Sequence, residues 1–367
     1  MTPIEFRRHL HAHPELSFEE YATASFIEKQ LAAAAIPFRR IATTGVLATI
    51  EGRGNLRRAV VLRADIDALP ITEQAEVAWR SQNEGVMHAC GHDMHAAVLF
   101  GVLLRMAATR DFEGTLFGLF QPGEECNPGG ASLVLAEKPF EKYNIQAVIG
   151  EHVEPKFEVG KFGFRIGKYM AANDELRFTV QGTGGHAALR NELHDPVAVA
   201  AKLITHLLVF NTEECVLSIG KVEASGATNV IPDSVYMEGT LRTFNEQHRI
   251  KIKQQIAAGA VQIDKLHGTH TLVDINQGYP CVVNDTALTQ QAIILAAKLE
   301  LGVEMLPLRT TAEDFGHYCT IYPSLFYRLG VGIAAGRTHT AVFNPDEGAI
   351  NIGIGFMHAL ALKILNR

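Results

Sequence analysis

Three short runs in the first half of the chain, 59–62, 115–120 and 147–150, are apolar with almost no polar break. Strands buried on both faces inside a parallel sheet read this way. The segments 94–109 and about 129–143 between them follow helical spacing, so the pattern is βαβ. Ahead of these runs, residues 1–35 read as helical, with Ser17 and Glu20 spaced as a capping box before Tyr21, Ala24, Phe26, Ile27 and Leu31. After about residue 168 the period changes. Glu175 to Gln181 alternates, with Leu176, Phe178 and Val180 on one face. A helix over 195–210, strands over 215–223 and 234–243, a helix over 246–266 and a strand over 269–276 follow. That β-α-β-β-α-β order predicts a ferredoxin-like unit with a four-stranded antiparallel sheet covered on one face. From about 282 the α/β style returns, with a helix over 286–301, a strand over 324–330 and a last helix from about 348. The fold expected is therefore α/β: a central, mostly parallel sheet flanked by helices, formed by 1–167 plus 282–367, with 168–281 inserted as a separate domain.

Composition narrows the classes. With 367 residues the chain is long enough for two cores. The formal charge of −7 comes without a basic cluster, which argues against a nucleic-acid partner. No apolar run is read as long enough for a membrane span, and the first residues lack a basic-then-apolar leader pattern. Five scattered cysteines without a CxxC argue against a disulfide framework and for a reducing cytoplasm. Sixteen histidines invite a search for ligands.

Each buried run ends in polar residues: Asp65 and Asp67, Glu124 and Glu125, Glu151 and His152. Ligands of open α/β sheets lie beyond the carboxyl ends of the strands, where all of these fall. His88-Ala-Cys90-Gly-His92-Asp93-Met-His95 is denser still. In an extended backbone Cys90 and His92 project to one side, and a thiolate with an imidazole suits zinc or a neighbouring transition metal. The plainer alternative is a helix capped by Asp93, with incidental histidines and a buried cysteine. Adjacent Glu124 and Glu125 diverge, so one can bind metal while the other takes a proton from water; two solvated glutamates are the alternative. His152 offers a further imidazole. His339 follows a Gly-rich turn, and spacing alone hardly separates it from His317. Asp65 or Asp67 suits a partner that orients a ligand imidazole. His9, His11 and His13 are spaced two apart on a helix and so do not converge. In the insert, Gly184 and Gly185 present His186, a donor suited to a developing oxyanion.

Taken together, His11-Ala-His-Pro-Glu-Leu-Ser-Phe-Glu-Glu20, Leu62 to Pro70, Met87 to His95, Gln121-Pro-Gly-Glu-Glu125, Gly184-Gly-His-Ala-Ala188, Asn229-Val-Ile-Pro-Asp233 and Ala312-Glu-Asp-Phe315 resemble a known family in order and content. The chain is similar to the dinuclear-metal aminoacylase/carboxypeptidase metallopeptidases, in the amidohydrolase branch that includes auxin-conjugate hydrolases, hippurate hydrolase and N-acetyldiaminopimelate deacetylase. The resemblance implies that Cys90, His92, Glu125, His152 and His339 hold two divalent ions, zinc or manganese, with Glu124 as general base and Asp67 as the supporting carboxylate. It implies that the insert is a lid and dimerisation domain. His186 would then reach the active site of a partner subunit in a homodimer, and Asn229 would line the substrate side. The implied substrate is a small N-acyl amino acid or dipeptide. Departures include Glu151 and Glu154 around His152, which would either favour a cationic substrate group or simply be solvated, and Leu189-Arg190-Asn191 after Gly-Gly-His-Ala-Ala, where Arg190 would meet a substrate carboxylate. Pro128 to Ala131 and Pro345 to Glu347 lean toward the diaminopimelate deacetylases. The alternatives are a dipeptidase or carboxypeptidase of the same family, an endopeptidase, which a closing lid disfavours, and a metabolite-binding relic without catalysis.

Overall fold

The computed structural model describes residues 1–366. Two compact units divide the chain: Met1–Tyr169, Val282–Pro307 and the segment from Asp314 form the first, and Met170–Cys281 with Leu308–Glu313 the second.

The three apolar runs become the strands Arg58–Asp65, Thr115–Gln121 and Asn144–Glu154 of the first unit. With Ser324–Gly330 they form the parallel heart of an eight-stranded sheet. One edge is an antiparallel hairpin, Phe38–Ile41 and Gly45–Glu51; the other carries Phe162–Phe164 and Val303–Met305. Successive strand residues face opposite ways. Val60, Leu62, Ala147, Ile149, Val153 and Leu325 accordingly share one core with the helices Pro3–Ala12, His92–Thr109 and Gly348–Leu365. Each fully buried aliphatic side chain there contributes roughly 1.5–3 kcal/mol. Helix 92–109 approaches the last helix closely: a Cβ on Gly101 would lie 2.2 Å from Ile354 Cδ1.

Several local expectations are corrected. The N-terminal stretch is two helices, Pro3–Ala12 and Tyr21–Ala33, because Pro14 and the residues around it interrupt the first. The capping box sits at Thr2 and Glu5, not at Ser17 and Glu20; the Ser17 hydroxyl donates to Asp67 instead. Between 129 and 143 only Gly130–Ala136 is α-helical. The hairpin over 38–51 had no reading in the pattern. Gly348–Leu365 is long and apolar enough to cross a membrane by length and composition, contrary to the expectation that no run is. Its apolar residues Ile350, Ile354, Met357 and Leu360 are buried in the core of the first unit.

The second unit follows the expected β-α-β-β-α-β order. Its antiparallel sheet runs Cys215–Glu223, Ser234–Thr243, Ala172–Gln181, His270–Gln277. Leu176, Phe178 and Val180 pack on Leu203, Ile252 and Ile256 from the helices Pro196–Leu208 and Glu246–His267. Asp195 and Asn245 cap those helices through side-chain oxygens. A short ribbon pairs Gly185–His186 with Val230–Ile231.

Candidate metal centre

The carboxyl ends of the parallel strands gather the polar residues of the first unit. Asp67 lies two residues past one strand, Glu124 and Glu125 follow another, and His152 projects from a third that runs on to Glu154. Cys90 and His92 flank Gly91 at the start of helix 92–109. The loop after the turn Ile333–Ala335 brings His339 in from the far end of the sequence, pinned by its own N–H to the Ala89 carbonyl at 2.8 Å.

Cys90 Sγ lies 3.4 Å from His152 Nε2 and 3.3 Å from His339 Nε2. His339 Nε2 is 3.2 Å from Glu125 Oε1, which is 3.9 Å from His92 Nε2. Two sets share the sulfur: Cys90, His92 and His152, and Cys90, Glu125 and His339. His92 also groups with Glu124 and Glu125, all donor atoms within 4.8 Å of one another. The tautomers suit ligation. His92 donates Nδ1–H to Asp67 (2.9 Å to the carbonyl, 3.0 Å to the carboxylate), and His152 donates Nδ1–H to the Val153 carbonyl at 2.8 Å. Each ring therefore keeps Nε2 as the nitrogen turned toward the sulfur. His92 Nε2 is buried without a hydrogen-bond partner, a costly state for a polar atom unless something binds it. Thiolate, imidazole and carboxylate donors with such an orphaned nitrogen fit a pair of divalent cations.

The electrostatics agree. Burial, with the Glu125 carboxylate next, pushes the Cys90 thiol up to about 12, so it ionises only when a cation displaces its proton. Burial opposes charge on His92, but Asp65, Cys90 and Asp67 outweigh it and raise the imidazole well above its usual value, so its Nε2 proton, like that of the thiol, leaves when a cation displaces it. Burial also works against the Asp67 carboxylate. Hydrogen bonds from His92, the Glu125 N–H and Ser17 overcome that and hold it below the usual range. His95, fully buried, holds Asp65 at 2.6 Å through Nδ1 and accepts the Val153 N–H at Nε2. His339 alone among the five candidate ligands is exposed.

Three expectations change here. Cys90 and His92 converge because Gly91 turns left-handed at φ +89, not because the backbone is extended. Asp93 is not the helix cap; it is buried in the first turn, taking Arg7 Nε at 2.6 Å and His11 Nδ1 at 2.8 Å. Glu151 shares strand parity with Ile149 and Val153, so it faces the helix-side core and accepts from Tyr327 OH at 2.8 Å. It cannot greet a substrate. Glu154, buried, accepts the Lys156 N–H at 3.4 Å. Of His9, His11 and His13, the outer two stack on each other while His11 is buried between Asp93 and Glu73. Pattern reasoning missed the support given by His95, Glu20 and Asp314. Their signal is only that polar side chains are buried in the fold.

In the second unit His186 and Asn229 are neighbours, the Ala187 N–H reaching the Asn229 carbonyl at 3.0 Å. Both are exposed. His186 Nδ1 accepts from the Ala188 N–H at 3.2 Å, which leaves Nε2 as the ring's donor. Arg190 lies in the adjoining 3-10 segment Ala187–Glu192.

Comparison with known proteins gives a consistent result. Residues 61–363 match Peptidase family M20/M25/M40. The N-acetyl-L-cysteine deacetylase of Bacillus subtilis (strain 168) is 38% identical over 371 residues, spanning 99% of this chain and 88% of that protein. The N-acetyldiaminopimelate deacetylase of Priestia megaterium is 32% identical, spanning 96% of each. The solved structure of the Bacillus subtilis YXEP protein, a dinuclear metal binding peptidase from the M20 family, superposes with a TM-score of 0.88. It is 33% identical and is covered over 97% of its length, against 99% of this chain.

Proposed function

Because the chain belongs to peptidase family M20/M25/M40, hydrolases of amide bonds, we propose that it is a metal-dependent deacylase of small N-acyl amino acids. N-Acetylated amino acids are the leading substrates, since deacetylases of such compounds match this chain almost end to end. The observation that supports the reading is the gathering of four donors, from His92, Glu125, His152 and His339, around the Cys90 sulfur from four separated segments, with the buried His92 Nε2 left without a hydrogen-bond partner.

Cys90, His92, Glu125, His152 and His339 would hold two divalent cations, zinc or manganese. Bound there, the pair would polarise the scissile carbonyl and lower the pKa of water from ~15.7 toward ~7. Glu124 takes the proton of the attacking water and returns it to the departing amine, the two halves of general base and general acid work. The water oxygen adds to the carbonyl carbon to give a tetrahedral oxyanion, whose collapse breaks the amide C–N bond and releases a carboxylic acid and a free amino acid. Asp67 keeps His92 in the tautomer that leaves Nε2 bare and holds the Glu125 backbone in place. In this reading the protein works in the cytoplasm as a homodimer, and His186 donates Nε2–H to the oxyanion in the site of a partner subunit, with Asn229 beside it.

The test is purification, removal and restoration of zinc or manganese, and assay of acetyl- and benzoyl-amino acids, N-acetyldiaminopimelate included. Turnover is expected only with metal restored, at about two ions per chain. Glu124→Gln should lose ~10²–10⁴-fold in kcat while keeping its ions. Metal-independent turnover, or full activity in that variant, overturns the mechanism.

A further inference from the structure

The loop that carries Glu124 is held from outside the metal centre. Three buried carboxylates each accept one of its backbone N–H groups. Asp67 takes the Glu125 N–H at 2.9 Å, Asp314 the Ala131 N–H at 2.9 Å, and Glu20 the Gly123 N–H at 2.8 Å. Asp67 also touches a ligand. Glu20 does not.

Glu20 is fully buried at the head of helix Tyr21–Ala33. One carboxylate oxygen holds Gly123 and the other accepts the Thr44 hydroxyl at 2.6 Å. Among the described residues no cationic side chain pairs with it. A buried carboxylate without a cation is a poor device for stability, since an apolar residue of similar volume would serve as well or better. Its position explains its presence. Gly123 is left-handed at φ +59, and a Cβ there would lie 2.2 Å from Phe18 Cε1, so Phe18 presses on the residue just before the base. The Gly130 N–H returns to the Gly123 carbonyl at 3.0 Å and closes the loop on the same peptide. Glu20 thus fixes the orientation of the peptide from which Glu124 springs.

We propose that Glu20 is a positioning residue for the reaction: through its hydrogen bond to Gly123 it sets where the Glu124 carboxylate stands, independently of metal binding. This rests on the reading of Glu124 as the base. A misplacement of about 1 Å in a reacting group costs on the order of 10²-fold in rate, so loss of this bond acts on kcat and not on cation affinity.

The test compares metal-loaded wild type with Glu20→Ala, Glu20→Gln and Thr44→Val. Glu20→Ala should lower kcat ~10–100-fold, leave KM within about twofold, and keep two ions per chain by elemental analysis. Hydrogen exchange should quicken over 123–131 without a matching rise in the parallel strands. Glu20→Gln retains an oxygen for Gly123 and an NH2 for the Thr44 oxygen, and should recover kcat to within about threefold of wild type. Thr44→Val removes only one bond and should give a smaller loss in the same direction; it decides the matter if Glu20→Ala does not fold. Unchanged kcat in Glu20→Ala, loss of ions along with activity, or equal damage in Glu20→Gln overturns the proposal. If the wild type hydrolyses no N-acyl amino acid, the functional reading fails, and local exchange over 123–131 still decides whether Glu20 clamps the loop.

Discussion

Gly91 separates the two candidate ligands of the densest motif, and its replacement by alanine can be worked through from the geometry. At φ +89 an L-residue costs about 1–2 kcal/mol relative to glycine. The added Cβ would also stand 2.7 Å from Val153 Cγ2 and 3.5 Å from Phe343 Cε1. Val153 is buried in the sheet core and its N–H is held by His95, so it yields poorly, and overpacking of this kind costs roughly 1–3 kcal/mol. The sum is about 2–5 kcal/mol. Gly85 is the internal control. It has φ +77, but a Cβ there would meet nothing within 4 Å, so Gly85→Ala should cost only the backbone part, about 1–2 kcal/mol. The difference has two outlets. If Val153 gives way, the thermal midpoint of the metal-stripped protein falls further for Gly91→Ala than for Gly85→Ala. If Cys90 and His92 move apart instead, cation affinity by chelator competition weakens by ~10–100-fold. Both assays should separate the two variants in at least one respect. Identical midpoints and identical affinities would refute the argument that this glycine shapes the ligand pair.

Asp67→Ala removes the acceptor of both the His92 ring and the Glu125 backbone, and should weaken cation binding by ~10–100-fold in the same chelator titration; an unchanged affinity would mean that the tautomer is set by the carbonyl alone. His11 supplies a pH signature. Burial opposes its charge, but Asp93 and Glu73 prevail and raise its pKa above the ordinary value. Its contribution to stability is then complete below about pH 6.5 and is lost as pH rises through the raised folded value. The destabilisation caused by His11→Gln in urea unfolding should accordingly be largest near pH 6 and shrink on the alkaline side. A penalty that stays constant to pH 9 counts against a charged His11.

Much of this architecture was legible in the chain because burial writes itself into sequence. Strand residues such as Val60, Leu62 and Ile149 contact protein on both sides of the sheet, so their neighbours could not be polar, and the change to alternation at Leu176, Phe178 and Val180 marked the second unit. The candidate ligands were legible for the opposite reason: His152 and Glu125 are polar residues placed directly after runs that exclude them. What escaped notice depends on partners remote in sequence. Ser17 and Glu20 have capping-box spacing, yet Asp67, Thr44 and Gly123 compete successfully for their oxygens. Asp93 has the chemistry of a cap, but Arg7 and His11 neutralise it inside the core. Strand parity, which turns Glu151 away from His152, follows only once the register of the sheet is known.

The interrupted first unit has a consequence for biosynthesis. Cys90 and His339 are separated by 249 positions, and the whole inserted unit is translated between them. At ~5–20 residues per second that interval lasts roughly 12–50 s. A nascent chain can close the inserted unit early, since that unit has its own core, while the larger sheet still awaits strand 324–330 and the final helix. The set of donors around the thiol is therefore complete only after position 339 has been translated, and a ribosome that stalls before it releases a chain lacking one of them.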